Sequence, residues 1–190
     1  MNDFLIRQSF HKKILRRYHS CKNTLIVDEL GLKHGKCRAD IAVINGYLHG
    51  FEIKSDNDSL CRLGNQAKVY SLVFDRATMV VGARHAAKVP ALIPKWWGII
   101  ICTQGSRGAV TFNTMRRAKL NKRVDPISVA ELLWRDEVID ILHNKGVPLR
   151  ILRQKRSVLY EYLNNLLTTD ELCDTVRDHL KKRKNWRGPE

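Results

Sequence analysis

The sequence contains no apolar run of the ~18–20 residues needed to cross a bilayer. Its start, MNDFLIRQSF, lacks the charged-then-apolar pattern of a secretory signal. A membrane-embedded or exported protein is therefore not expected, and a cytoplasmic one is. Cysteine is sparse: Cys21, Cys37, Cys61, Cys102 and Cys173 are odd in number and scattered, with no CxxC pair. Such a set supports neither a disulfide framework nor a cysteine zinc site. Internal repeats and low-complexity stretches are absent. Acidic side chains are few, with 19 Asp and Glu against 34 Lys and Arg, for a net charge of +15. An excess of that size points to a polyanionic partner, nucleic acid or an acidic membrane surface. With 44% hydrophobic residues, the 190-residue chain has ordinary globular composition and is long enough to bury a core, which argues against disorder.

The charge is unevenly spread. Residues 61–115 carry seven basic side chains and one acid, whereas most acids of the first 60 residues lie between Asp28 and Asp58. Carboxylates clustered within a basic protein suit the holding of a divalent cation while the surroundings hold phosphates; ordinary surface acids are the plainer alternative.

Residues 3–20 read as a basic, partly apolar N-terminal helix. TLIVDEL (24–30), ADIAVI (39–44) and YLHGFEIK (47–54) read as strands, the last two joined at Asn45-Gly46, a strong hairpin signal. Helix is expected over 57–74, with residues 64–74 as its main part, then a strand at 77–82, a helical turn or two around 84–93, and strands at 96–104 and 108–115. After Pro126 the pattern turns helical: 128–146, 157–167 and 169–184. The expected fold is a mixed α/β sheet flanked by helices with a C-terminal helical extension. Residues 1–124 are expected to form the core domain and 125–190 a basic helical subdomain.

The chemistry concentrates on the hairpin. Asp40 opens one strand and Glu52-Ile53-Lys54 lies on the next. Carboxylates on neighbouring strands can share one hard cation, and the Ile53 carbonyl could add an oxygen. Lys54, two residues from Glu52, points to the same face and can position a water or offset phosphate charge. The register must cooperate. A two-residue Asn45-Gly46 loop would put Asp40 and Glu52 on opposite faces. A three-residue Ile44–Gly46 loop with Gly46 at positive φ, or a bulge near Gly50, would bring them together.

This pattern resembles the PD-(D/E)XK nuclease superfamily, with Asp40 at the first motif acid and Glu52 and Lys54 at the second motif; Ala39 stands where the motif name has proline. Gln66 and Tyr70, four residues apart on the next helix, look like the QxxxY motif of the RecB-like branch. The run from Arg38-Ala39-Asp40 through Gly50-Phe51-Glu52-Ile53-Lys54-Ser55 and Asp75-Arg76 to Trp96-Trp97-Gly98 also looks like a poorly characterised bacterial branch. The resemblance covers about residues 1–115. It implies a restriction-endonuclease-like fold and a Mg²⁺- or Mn²⁺-dependent hydrolase cutting DNA in repair, restriction or phage-related defence. Asp40, Glu52, Lys54 and Gln66 would be catalytic, with Asp40, Glu52, Ile53 and Glu29 around the metal. Glu29 reads equally well as a surface acid. Relatives with an iron–sulfur cluster use several cysteines near the C-terminus, where this chain has only Cys173, so no cluster is expected. Arg38, Tyr70, Arg84 and the run Lys181, Lys182, Arg183, Lys184 are candidate nucleic-acid contacts. A homodimer is left open. Two rivals remain: a catalytically inactive module of the same fold that binds nucleic acid, and an RNA-cleaving nuclease or toxin.

Overall fold

The computed structural model describes residues 1–184 and residue 186. Two N-terminal helices, α1 (Asp3–Lys13) and α2 (Arg16–His19), lead into β1 (Leu25–Leu32), β2 (Cys37–Ile44) and β3 (Leu48–Lys54). Helix α3 (Leu63–Val73) crosses over to β4 (Arg76–Gly82). A 3-10 turn at Ala83–His85 and the single-turn α4 (Val89–Leu92) precede β5 (Gly98–Gln104) and β6 (Val110–Arg116). The chain then becomes helical: α5 (Pro126–Ala130), α6 (Arg135–Asn144), α7 (Leu149–Leu152), α8 (Arg156–Leu166) and α9 (Thr169–Lys182).

The six strands lie side by side in sequence order. The β3–β4 and β4–β5 pairs are parallel and the other three are antiparallel. This is the expected mixed α/β sheet flanked by helices with a helical C-terminal extension. One face packs Ile41, Val43, Phe51, Ile53 and Val80 against Ile6, Phe10 and Leu15 of the N-terminal helices. The other face packs Ala42, Leu48, Met79 and Ile99 against α3, and the same apolar cluster runs on through Val129, Leu142, Leu163 and Leu180 of the C-terminal helices. A buried ion pair reinforces that contact: Arg177 of α9 reaches Asp75 at 3.1 Å, and Asp75 also accepts from the Leu48 N–H at 2.7 Å.

The hairpin loop differs from expectation by one residue. Ile44 pairs with Leu48, so the loop is Asn45–Tyr47. It is closed by Asn45 Oδ1, which accepts from the Tyr47 N–H at 3.1 Å. Gly46 is not among the positive-φ glycines, and the β2–β3 register runs through Gly50 without a shift. The expected 128–146 helix is interrupted. Asp125 accepts from the Ser128 N–H at 2.8 Å to start α5, and Glu137 accepts from the Trp134 N–H at 2.7 Å to start α6. Two separate N-terminal caps make two helices where apolar periodicity alone suggests one. Among the described residues, no helix is long and apolar enough to cross a membrane.

Candidate functional site

Because Ile41 pairs with Phe51, the register carried one step further sets Asp40 opposite Glu52. Partners directly opposite share a face, so the two carboxylates meet by a different loop from the one expected. Gly50 makes room nearby for α3: a Cβ there would lie 2.5 Å from the Phe74 ring. The helix can therefore lean close enough to bring Gln66 and Tyr70 onto Glu52.

Glu52 is fully buried. One oxygen, Oε1, accepts from Lys54 Nζ at 2.6 Å and from Gln66 Nε2 at 2.5 Å; the other, Oε2, accepts from the Tyr70 hydroxyl at 2.6 Å. Three donors on one carboxylate hold an ionised group away from water, where an unpaired charge would be costly. Asp40 is served differently. The Ile53 N–H donates to Oδ2 at 2.6 Å, and Arg7 of α1 lies 3.5 Å from Oδ1 while donating to the Asp40 carbonyl at 2.6 Å. Arg7 also pairs with Glu29 at 2.8 Å, and Glu29 with Arg38 at 3.3 Å. A line of alternating charges thus runs from the sheet's outer strand to the buried acid pair.

The balance at Asp40 is unfavourable to its charge. Burial, then the neighbouring Glu52 carboxylate, push the Asp40 carboxyl up to about 7 against the opposing pull of the Ile53 N–H, Lys54 and Arg7. The same environment holds the Tyr70 hydroxyl well above its ordinary range, through burial first and Glu52 second. Burial, aided by Glu52, also raises the Cys37 thiol.

Asp40, Glu52, Lys54, Gln66, Arg38 and Glu29 all line one pocket of about 530 Å³. Lys36 and Arg62 join Arg38 on its exposed rim. Gln66 Oε1 is buried and has no hydrogen-bond partner. Among the described residues no three His, Cys, Asp or Glu side chains converge as a metal-holding group. A cation here would rest on two carboxylates.

The remaining candidates lie elsewhere or play other parts. Tyr70 is fully buried behind Glu52, so it holds that carboxylate rather than facing a ligand. The Arg84 N–H donates to Asp56 at 2.9 Å, tying the loop after β4 to the one after β3. Lys181 pairs with Asp178 at 2.9 Å, and Lys182 and Lys184 are exposed. Arg183 does not belong to a free basic tail: its side chain is 5% exposed and is bound by Glu137 at 2.5 Å. Asn185 and residues 187–190 of that run lie outside the described residues. Arg7, Lys36 and Arg62 were not singled out in the sequence. Arg7 carried a faint signal there, four residues after Asp3 on one helix face, but nothing local reports that it crosses to Asp40.

A family model described as bacteriophage P4 protein cII matches residues 7–187. Protein cII of Enterobacteria phage P4 is 30% identical over 158 residues, covering 83% of this chain and 59% of that protein. This chain therefore spans less than two thirds of that relative's length. No solved structure matches. The family match overturns the resemblance to PD-(D/E)XK nucleases, and with it the readings as a hydrolase, a metal-dependent deoxyribonuclease or a repair or restriction enzyme. The physical reason such a resemblance misleads is that an acid pair, a lysine and a glutamine on a hairpin and its following helix also describe a buried glutamate being neutralised. Spacing fixes proximity, and proximity alone does not fix a reaction.

Proposed function

The chain belongs to the bacteriophage P4 protein cII family, and on that premise we propose that it binds nucleic acid, DNA foremost, and seats a backbone phosphate at the Asp40–Glu52 pocket. The observation that carries this reading is the rim: Lys36, Arg38 and Arg62 stand exposed around a pocket whose floor is a buried acid pair. Exposed cations bring in a polyanion, and the net charge of +15 extends the attraction over the surface.

Even with their protein donors, two carboxylates side by side would repel a phosphate, so the reading includes one divalent cation, Mg²⁺ or Mn²⁺, held by Asp40 and Glu52 with main-chain oxygen from Ile53. The donors fit. They are hard oxygens, Asp40 and Glu52 lie side by side on neighbouring strands, and Gln66 Oε1 is a buried acceptor without a partner. A bound cation would supply positive charge towards phosphate oxygen. Lys54, Gln66 and Tyr70 hold Glu52 in place, and Arg7 holds Asp40 and Glu29.

The test is fluorescence anisotropy with labelled DNA between 50 and 200 mM salt. Affinity should fall ~10³-fold or more over that range if six or more phosphates are engaged. The double variant Lys36→Glu/Arg62→Glu should weaken binding strongly, whereas Lys145→Glu, at the far end of α6, should change it little. Flat salt dependence, equal effects of the two charge reversals, or cleavage in place of stable binding would each contradict the reading.

A further inference from the structure

A second cleft, of about 840 Å³, opens beside the carboxylate pocket, between the β1–β2 end of the sheet and the C-terminal helices. The two cavities share Glu29, Gly35 and Arg38 as a common wall. Trp134 lies in this cleft and is 38% exposed. Arg183 and Trp186 line the same cleft and hold its ring. The Arg183 guanidinium sits 4.2 Å from the Trp134 ring centroid and 4.7 Å from that of Trp186. Glu137 fixes the guanidinium through both carboxylate oxygens, and the Leu132 carbonyl accepts from it at 3.0 Å. An indole anchored this way is a preorganised stacking surface. Across the cleft, the exposed Arg156 contacts His34 at 3.3 Å, and His34 stacks on Tyr160.

Backbone strain gathers at the same place. Among the described residues, Glu29, Lys33 and His34 are the non-glycine residues with positive φ, at 59°, 50° and 55°. Glu29 and His34 line the cleft, and Lys33 pairs with Glu131 of its wall at 3.0 Å. Residues held in the left-handed region cost energy, and such strain clusters at ligand clamps.

We propose that this cleft receives unpaired bases of the strand whose phosphate sits at the neighbouring pocket, one base stacking on Trp134 and Arg156 meeting the strand's backbone, so that the ligand is single-stranded nucleic acid. This rests on the reading of the protein as a nucleic-acid binder and adds the strandedness to it. Paired bases present only their edges to a protein, whereas stacking on an indole needs a splayed base with an open face. Arg38, shared by the two cavities, puts the Lys36–Arg38–Arg62 rim directly beside the cleft, so a strand can pass from phosphate to base between neighbouring sites.

The experiment compares single-stranded DNA, single-stranded RNA and duplex DNA of equal length by anisotropy, and follows intrinsic tryptophan emission in parallel. The single strands should bind ~10-fold or more tightly than the duplex at one salt concentration and should quench part of the emission. Trp134→Ala should lose ~5- to 100-fold on single strands and no more than about twofold on duplex. Trp134→Phe, which keeps a stacking ring, should retain most affinity while clearly reducing the quench, the remainder coming from Trp186 in the same cleft, and it serves should the alanine variant fail to fold. The DNA and RNA arms distinguish the two sources of unpaired bases. Equal binding of duplex and single strands, equal loss on both from Trp134→Ala, or a quench of undiminished size in Trp134→Phe would overturn the inference while leaving nucleic-acid binding intact. Failure of every polymer to bind would overturn the underlying reading instead, and this inference with it.

Discussion

Replacing Asp40 by asparagine should make the protein more stable at neutral and alkaline pH. The Asp40 carboxyl is raised to about 7 from an ordinary value of 3.8, through burial and the Glu52 charge. The folded state therefore binds more protons than the unfolded chain between about pH 4 and pH 7, and stability falls as pH rises through that window. A carboxyl raised that far is worth ~4 kcal/mol at most; because Glu52 shares the charge, ~2–4 kcal/mol is the working range. The Asp40 side chain is only 20% exposed, so solvent screens little of this. Asparagine can still accept from the Ile53 N–H but carries no charge to destabilise. Thermal melts of wild type and Asp40→Asn in EDTA, at pH 5, 6, 7 and 8, isolate the effect, because groups elsewhere titrate alike in both proteins. The gap between them should be smallest at pH 5, where the unfolded carboxyl is already largely ionised, and should widen as pH rises to 7. At pH 8 the variant should melt roughly 5–15 °C higher, taking ~2–4 °C per kcal/mol for a chain of this size. A difference between the two melting temperatures that stays constant across the series would show that Asp40 does not titrate in this window.

Three further substitutions probe how the site is built. Gly50→Ala should destabilise the fold by ~1–3 kcal/mol in urea unfolding, because its Cβ would fall 2.5 Å from the Phe74 ring and force α3 away; an unchanged unfolding midpoint would show that α3 does not pack there. Tyr70→Phe removes one of three donors to a fully buried carboxylate and should cost ~1.5–3 kcal/mol at pH 7. Arg177→Met strips Asp75 of its 3.1 Å partner and should cost up to ~3 kcal/mol, less at low pH where Asp75 is protonated, measured by the same unfolding assay.

Much of the architecture could be read from residue pattern alone. Alternating apolar runs located all six strands to within about two residues, since a strand with one or two buried faces leaves its period in the sequence. The acid pair was legible too, because Asp40 and Glu52 flank a strong turn. The turn's length was not. Asn45-Gly46 favours several loops, and the one formed is settled by the ladder from Ile44↔Leu48 to Ile41↔Phe51 together with the space Gly50 leaves for Phe74. Long-range partners escaped for a simpler reason: Arg7 and Asp40 are 33 residues apart, and neither carries a local mark of the other. The basic C-terminal run misled because composition reports charge but not docking. Arg183 looked like one cation among four, yet Glu137 and two indoles bury it. The family itself was not legible from four motif residues. It is carried by a match over residues 7–187, most of which bear no recognisable chemistry.

A divalent cation in the Asp40–Glu52 pocket that helps seat a phosphate of bound nucleic acid is tested by the affinity for a labelled single-stranded oligonucleotide with and without millimolar Mg²⁺ at constant ionic strength, for wild type and Asp40→Asn. Mg²⁺ should tighten binding by the wild type and leave the variant unmoved. Wild-type affinity that is unchanged or weakened by Mg²⁺, or a variant that responds as the wild type does, would contradict a cation there.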